Sequence, residues 1–318
     1  MKALIYIEIK EGAPVGSSLE LINAAAAIGA DAEAILIGEN LNDAAAKVAA
    51  AGAAAVLTAD APEGCEASIV NILSQAAKKD TYKAVLLSAT TLGKVVAPAV
   101  AGAIGAGSIN DATALSLDGE TLIVNRPAFG GTIIETNKIN TETGVISVRA
   151  GSYEKPEGEV ASPVTPAASG ITVEDGAIKA KVIEVLEEAG EVVNLADANI
   201  IVSGGRGMGD EENFALCKEL ADVLGGVVGA TRPVIENGWI SRQHQVGQSG
   251  TIVTPDLYVA CGISGATQHL SGMSGSKYVV AINKDEDAPI FEVADAGIVG
   301  DAKKIIPLLI EAVKAKKA

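Results

Sequence analysis

The sequence predicts an α/β protein of two domains, the first built on a mostly parallel sheet. Three observations carry this reading. From residue 1 to about 112, short β-branched runs alternate with Ala-rich amphipathic segments at the pitch of βαβ units. The same alternation restarts at Ala198, after an interval rich in Pro, Ser and Thr. A chain of 318 residues is also longer than one average core requires. The boundary is placed ahead of Ala196, giving domains of residues 1–195 and 196–318.

In the first domain, Ala3–Ile7, Ala34–Ile37, Ala54–Leu57 and Ala84–Leu87 read as strands, with helices at about 17–29, 42–51, 65–78 and 92–105. The first helix carries the capping-box pattern Ser17-Ser18-Leu19-Glu20, in which serine and glutamate satisfy each other's N–H groups. The texture changes after Asn110-Asp111. Thr113–Leu117, Thr121–Val124, Thr132–Thr136 and Gly144–Arg149 are strand-like, separated by turn residues, and predict an antiparallel extension of the sheet. Lys155 to Gly170, with Pro156, Pro163 and Pro166, reads as a connector. Residues 178–188 read as a strand or a helix. The second domain has strands at Ile200–Val202, Val227–Val228, Leu257–Ala260 and Tyr278–Ile282, and helices at 211–224 and near 302–316. Phe214, Cys217, Leu220 and Leu224 recur at helical spacing, so Cys217 reads as core packing, with a reactive thiol as the alternative.

The balance of 24 basic against 40 acidic residues gives a net charge of −16. General nucleic-acid binding needs Lys and Arg to neutralise phosphates and is excluded. One bound phosphate ligand is not, because backbone N–H groups and a single Arg hold it locally. Cys65, Cys217 and Cys261 have no CxxC spacing and fit reduced thiols in a cytoplasmic protein. His244 and His269 are too few for an evident metal site. Met1 to Ile7 is too short for a signal peptide, and Val95 to Ala106 is about half of a membrane span and contains Pro98. No membrane association is expected.

The polar, glycine-rich turns concentrate between Ile201 and His269. Ser203-Gly204-Gly205-Arg206-Gly207-Met208-Gly209 follows a strand and precedes a helix opening at Asp210, where α/β folds bind phosphates. From Gly205, a G-x-G-x-x-G reading meets Asp210 where the third glycine belongs, so the dinucleotide fingerprint is broken. The segment reads as a phosphate turn, with Arg206 pairing phosphate oxygens, or as a plain turn with Asp210 as helix cap. Thr231-Arg232-Pro233 suits a helix start, Pro233 fixing its own φ. Arg232 is then a solvated charge, or a cation beside a redox-active ring that favours the ring's negative form. Gln245 to Gly250 offers amides and a hydroxyl that bond the edge of a heterocycle or close a turn. Ser264-Gly265-Ala266 begins a helix and offers a second phosphate seat, and His269, further in, reads as a structural hydrogen-bonder or a functional group. No Ser or Cys nucleophile stands in a recognisable triad context, which counts against hydrolase chemistry.

In order, these turns resemble the α subunit of electron-transfer flavoprotein: SGGRG at 203–207, TRP at 231–233, QVGQSG at 245–250, GISGATQH at 262–269, AINKD at 281–285 and ADAGIVGD at 294–301. The resemblance is dense over roughly the last 120 residues and looser before them, where SATTLGKVVAPAVAGAIGAGSINDATAL at 88–115 is similar to the family's segment. It implies an N-terminal α/β domain that packs on a β subunit, followed by a flavodoxin-like, doubly wound FAD-binding domain. Arg206, Thr231 and Ser264 match positions near the pyrophosphate and ribityl chain. Arg232 matches the arginine beside the flavin ring, expected to favour the anionic flavin. Ser249 matches the hydroxyl that bonds flavin N5, Gln248 lies beside it, and His269 matches the residue facing the C2 carbonyl. Asn283 and Asp301 match the adenosine side. Gly207, Gln245, Val246, Gly247, Gly262, Gly265, Ala266 and Gln268 complete the implied FAD site.

The resemblance implies an electron carrier with one FAD on this chain, no substrate conversion of its own, and a β subunit bearing a second FAD or AMP. Implied redox partners are acyl-CoA dehydrogenase and, through the complex, NADH and ferredoxin or flavodoxin. Many family members have Thr at 249 and Ser at 231; here the two are exchanged, and the TRP form with Ser249 looks more like the anaerobic, electron-bifurcating branch. Transfer to several partners would need the FAD domain to swing, with the interval 155–170 and the later boundary as hinge candidates. The rivals are a simple non-bifurcating carrier, an NAD-dependent dehydrogenase, against which the broken fingerprint counts, and a non-catalytic nucleotide-binding module.

Overall fold

A computed structural model describes residues 1–61, 65–179, 183 and 195–317. The chain groups into two compact units, Met1–Ala128 with Ile133–Glu187, and Phe129–Thr132 with Glu188–Ala318. The segment 178–188, open to a strand or helix reading, lies almost wholly outside the described residues.

The first unit begins with β1 (Lys2–Ile7), the hairpin β2 (Ile9–Lys10) and β3 (Ala13–Pro14), α1 (Gly16–Ala27), β4 (Asp31–Gly38), α2 (Asn42–Ala50) and β5 (Ala55–Asp60). Then come α3 (Glu66–Lys79), β6 (Ala84–Ser88), α4 (Thr91–Ile104) and β7 (Gly107–Ala112). β8 (Ala114–Asp118), β9 (Thr121–Ala128), β10 (Ile133–Ile139), β11 (Gly144–Val148) and β12 (Ala167–Ala168) follow. Seven strands pair in the order β12-β5-β4-β1-β6-β11-β7, every pair parallel. Both faces of this sheet are covered. Ala3, Ile5 and Ile7 of β1 join a core with α1 and α2, while Leu4 and Tyr6 join one with α3 and α4. That is why β1 reads as a continuous apolar run rather than an alternating one.

Three sequence expectations need correction here. The capping box of α1 does not form: its N-cap is Val15, with no side-chain cap bond. The side chains go elsewhere, Ser18 Oγ accepting from Glu8 N–H at 3.2 Å, Ser17 Oγ from Ser88 at 2.6 Å and Glu20 from Gly151 N–H at 2.8 Å. The antiparallel strands form a sheet of their own, β10-β9-β8, and Gly144–Val148 lies inside the parallel sheet instead. That segment is buried at every position, as an interior parallel strand must be, and an unforeseen strand, β7, covers its outer side. Asp111, at φ 65°, lies at the register shift within β7 and is held there by Arg149. Finally, residues 155–170 are not a free connector. Val160 N–H donates to Ala50 O at 2.9 Å, Ser169 N–H to Thr58 O at 2.8 Å, and β12 adds to the sheet edge, where Pro-rich chain is tolerated.

The second unit comprises β13 (Ile200–Gly204), α5 (Glu211–Leu224), β14 (Val227–Ala230), α6 (Arg232–Glu236), β15 (Leu257–Cys261), α7 (Thr267–Met273), β16 (Val279–Asn283), β17 (Ala296–Val299) and α8 (Ala302–Lys317). Its parallel strands run in the order β14-β13-β15-β16-β17, the flavodoxin-like 2-1-3-4-5 arrangement. β17 was not foreseen; it is a short, partly exposed edge strand. Alternation along the strands divides the core. Val202, Val259 and Cys261 face α5 and α8, whereas Ile201, Tyr258 and Ala260 pack with Val246 and Met273 on the other side. α5 opens on Asp210, whose carboxylate accepts from Asn213 N–H at 2.8 Å, and ends at Gly225 in the left-handed conformation. Among the described residues no helix is long and apolar enough to cross a membrane.

Replacing the cap by Asp210→Ala should lower unfolding stability by about 1 kcal/mol, read as a fall in the urea midpoint at unchanged slope.

Candidate functional site

The chain leaves β13 for β14 on one side and returns to β15 on the other, which opens a crevice at the carboxyl ends of these strands. A cavity of about 760 Å³ lies there, within the roughly 300–1,000 Å³ common for small-molecule and cofactor sites. Gly205, Arg206 and Gly207 line it from the turn after β13, and Thr231, Arg232 and Pro233 from the start of α6. Residues 245–249 form a strap across it. Gly262 to Ala266 contribute from the turn after β15, Gln268 and His269 from α7, and Asn283 from the end of β16. Every candidate site residue is in this lining except Asp301. That carboxylate accepts from Lys303 N–H at 3.2 Å and pairs with Lys284 at 3.2 Å at the start of α8. Gly205, Pro233 and Ile263 line the cavity without having been singled out, although each lies within a quoted motif.

The turn glycines serve the protein's own backbone first. Gly205 N–H donates to Cys261 O at 2.9 Å and Gly207 N–H to Gly262 O at 3.0 Å, and a Cβ on Gly207 would stand 2.7 Å from that same oxygen. The two turns are therefore in direct main-chain contact, which any side chain at these positions would break. The strap is fastened in the same way: Val246 N–H donates to Ala230 O at 3.0 Å and Gln248 N–H to Gln268 O at 2.7 Å, and Gly272 has room for no Cβ beneath Gly247.

α7 starts at Thr267, later than Ser264-Gly265-Ala266 predicted, because those three residues form the turn that packs on residues 289–290. Asn283 holds this turn, its Nδ2 donating to Ile263 O at 2.8 Å. Thr231 is the N-cap residue of α6 and is buried. Arg232 pairs with Glu236 at 2.8 Å, with two thirds of its side chain exposed, so it sits on the cavity's solvent side. Ser249 Oγ accepts from the buried Gln245 Nε2 at 2.9 Å. His269 is buried, with Nδ1 3.1 Å from Val246 O and Nε2 2.9 Å from the Tyr258 hydroxyl. Both ring nitrogens are thus committed within the protein. Burial pushes its pKa down to about 4 against the pull of the Val246 carbonyl, so the ring is neutral at pH 7.

These groups fit a dinucleotide-sized flavin cofactor. Arg206 and Arg232 supply cations for a diphosphate or an anionic ring, and hydroxyls and amides supply bonds for the heterocycle. Glu and Asp are absent from the lining residues. Among the described residues no group of three His, Cys, Asp or Glu is placed to hold a metal ion.

Residues 3–190 match the family described as "Electron transfer flavoprotein domain", and residues 194–274 match "Electron transfer flavoprotein FAD-binding domain". The electron transfer flavoprotein subunit alpha of Thermoanaerobacterium thermosaccharolyticum is 40% identical over 322 residues, covering 98% of both chains. That of Mycobacterium leprae is 39% identical over 325 residues, covering 99% of both. Protein FixB of Clostridium saccharobutylicum is 37% identical over 320 residues, covering 98% of this chain and 95% of its own.

The state of His269 carries a pH dependence. Unfolded, the imidazole takes a proton below its ordinary 6.5; folded, it does so only near 4. Between these values the unfolded chain binds more protons, so stability is lost as pH falls through that window, by up to about 1.4 kcal/mol per pH unit. Urea unfolding at several pH values should show a shallower acid loss in His269→Asn than in the native chain. Equal slopes would remove His269 as the source.

Proposed function

The chain belongs to the electron transfer flavoprotein alpha-subunit family and carries that family's FAD-binding domain, and on that premise we propose that it acts with a β subunit as the FAD-bearing half of a heterodimeric electron relay. The observation that carries the reading is the convergence of separate motifs, from residue 205 to 283, on one cavity at the switch point of a flavodoxin-like sheet. The electron donor is a dehydrogenase of the acyl-CoA class, and the acceptor a second redox protein.

Bound FAD supplies the one- and two-electron chemistry. This chain's residues bind and tune it. Arg206 and the turn after β13 hold the diphosphate, with Thr231 and Ser264 beside it. The strap, with Gln248 and Ser249, orients the edge of the ring system, and Asn283 steadies the turn on the adenosine side. Arg232, which pairs with Glu236 on the solvent side, would place its cation beside the ring only by turning from that pair, and there it would favour the ring's negative form. Asp301 acts through the chain around it, since it pairs with Lys284 next to Asn283.

A second reading, electron bifurcation with NADH oxidised through the β subunit, is favoured by the exchanged hydroxyls, Thr231 before Arg232-Pro233 and Ser249 in the strap. Purification with the neighbouring subunit separates the two. Two FADs per heterodimer and rapid bleaching by NADH are the bifurcating outcome. One FAD, inert to NADH and reduced through an acyl-CoA dehydrogenase, is the simple carrier. No flavin after reconstitution would overturn both.

Arg232→Ala should retain FAD while lowering its one-electron potential by about 40 mV, the equivalent of roughly 1 kcal/mol, as read by spectroelectrochemistry. An unchanged potential would sink the role given to Arg232.

A further inference from the structure

Tyr258, the second residue of the central strand β15, has the largest wholly buried side chain among the described residues. A buried phenol costs stability unless its hydroxyl is bonded, and phenylalanine would fill the same space without that demand. The hydroxyl meets His269 Nε2 at 2.9 Å. On the opposite side of the ring, Nδ1 is 3.1 Å from Val246 O. A carbonyl only accepts, so Nδ1 carries the hydrogen. The neutral ring then has its lone pair at Nε2, and Tyr258 must donate to it.

Behind the phenol stands Ser203, on the same face of the sheet and one strand away, with its hydroxyl beside that of Tyr258. Ser203 is wholly buried, and its Oγ has no well-formed hydrogen bond among the described residues. The donors then run in one direction, from Tyr258 to His269 to the Val246 carbonyl.

We propose that Tyr258 is a positioning residue of the cofactor site: by occupying Nε2 it fixes His269 as a neutral Nδ1–H ring, moors the 245–250 strap through Val246, and leaves the imidazole with no N–H to offer the bound cofactor. The inference rests on the FAD reading above. It assigns the positive character felt by a reduced flavin to Arg232 and the backbone, and gives His269 a mechanical role. With Nε2 released, the ring is able to turn an N–H toward the cofactor or to take a proton, and either would favour added electrons.

The test uses the FAD-loaded protein with its partner subunit, labelled with ¹⁵N-histidine. This chain contributes two imidazoles, His244 and His269, and His269→Asn identifies the second. The expected result at pH 7 is a neutral Nδ1–H tautomer with a hydrogen-bonded Nε2. In Tyr258→Phe that Nε2 signal should move to its unbonded position and the flavin potential should shift upward with FAD retained. A charged ring or an Nε2–H tautomer in the native protein would overturn the proposal, whether or not the variant folds. So would an unaltered His269 spectrum and potential in Tyr258→Phe. A protein that takes up no flavin overturns the FAD reading instead, while the tautomer is still read directly.

Discussion

The site depends on the main-chain contact between the turns that follow β13 and β15. Gly205 and Gly207 donate to the carbonyls of Cys261 and Gly262, and the turns approach so closely that only glycine fits between them. Neighbouring parallel strands end level with each other, but their turns ordinarily diverge as each chain moves off to its own helix. Here the two N–H···O bonds continue the contact beyond the sheet. The cavity floor is therefore backbone, and the side chains that rise from it, Arg206 and Ser264, have their positions set by main-chain geometry.

The strap repeats this logic. Its N–H groups at Val246, Gly247, Gln248 and Gly250 all donate to carbonyls of the protein, to β14, to α7 and within the loop itself. A loop whose backbone is already satisfied can present its amides and hydroxyl to a ligand without collapsing onto it. His269 and Tyr258 extend that fastening into the core, where low dielectric strengthens each bond and makes an unpaired group costly. The result is a polar rim whose bonds are made within the protein, the kind of preorganisation on which electrostatic tuning of a cofactor depends.

Charge is divided between scales. The chain carries −16 overall, yet the lining residues include Arg206 and Arg232 and no carboxylate. The overall excess of acidic residues does not reach into the lining, where the local field is set by a few cations and oriented N–H groups.

The sequence by itself determined the βα alternation of β1 to α4 and of β13 to β16, the limits of α5 to the residue, and the set of turns that meet at the cavity. It could do so because periodicity, capping and glycine placement are local properties, written within a few residues of where they act. The tertiary structure decided what depends on partners far along the chain. The serines and glutamate of α1 abandon their capping box for Glu8, Ser88 and Gly151. Gly144–Val148 becomes an interior parallel strand because β6 and β7 lie on either side of it. Asp301 stands outside the cavity because Lys284 and the start of α8 claim its carboxylate. Tyr258 gave no sign of its place: a tyrosine in an apolar strand reads as core, and only the fold brings His269 to its hydroxyl. Hydrogen bonds between distant residues leave no periodic trace in a sequence, because neither partner's neighbours need to change for the bond to form.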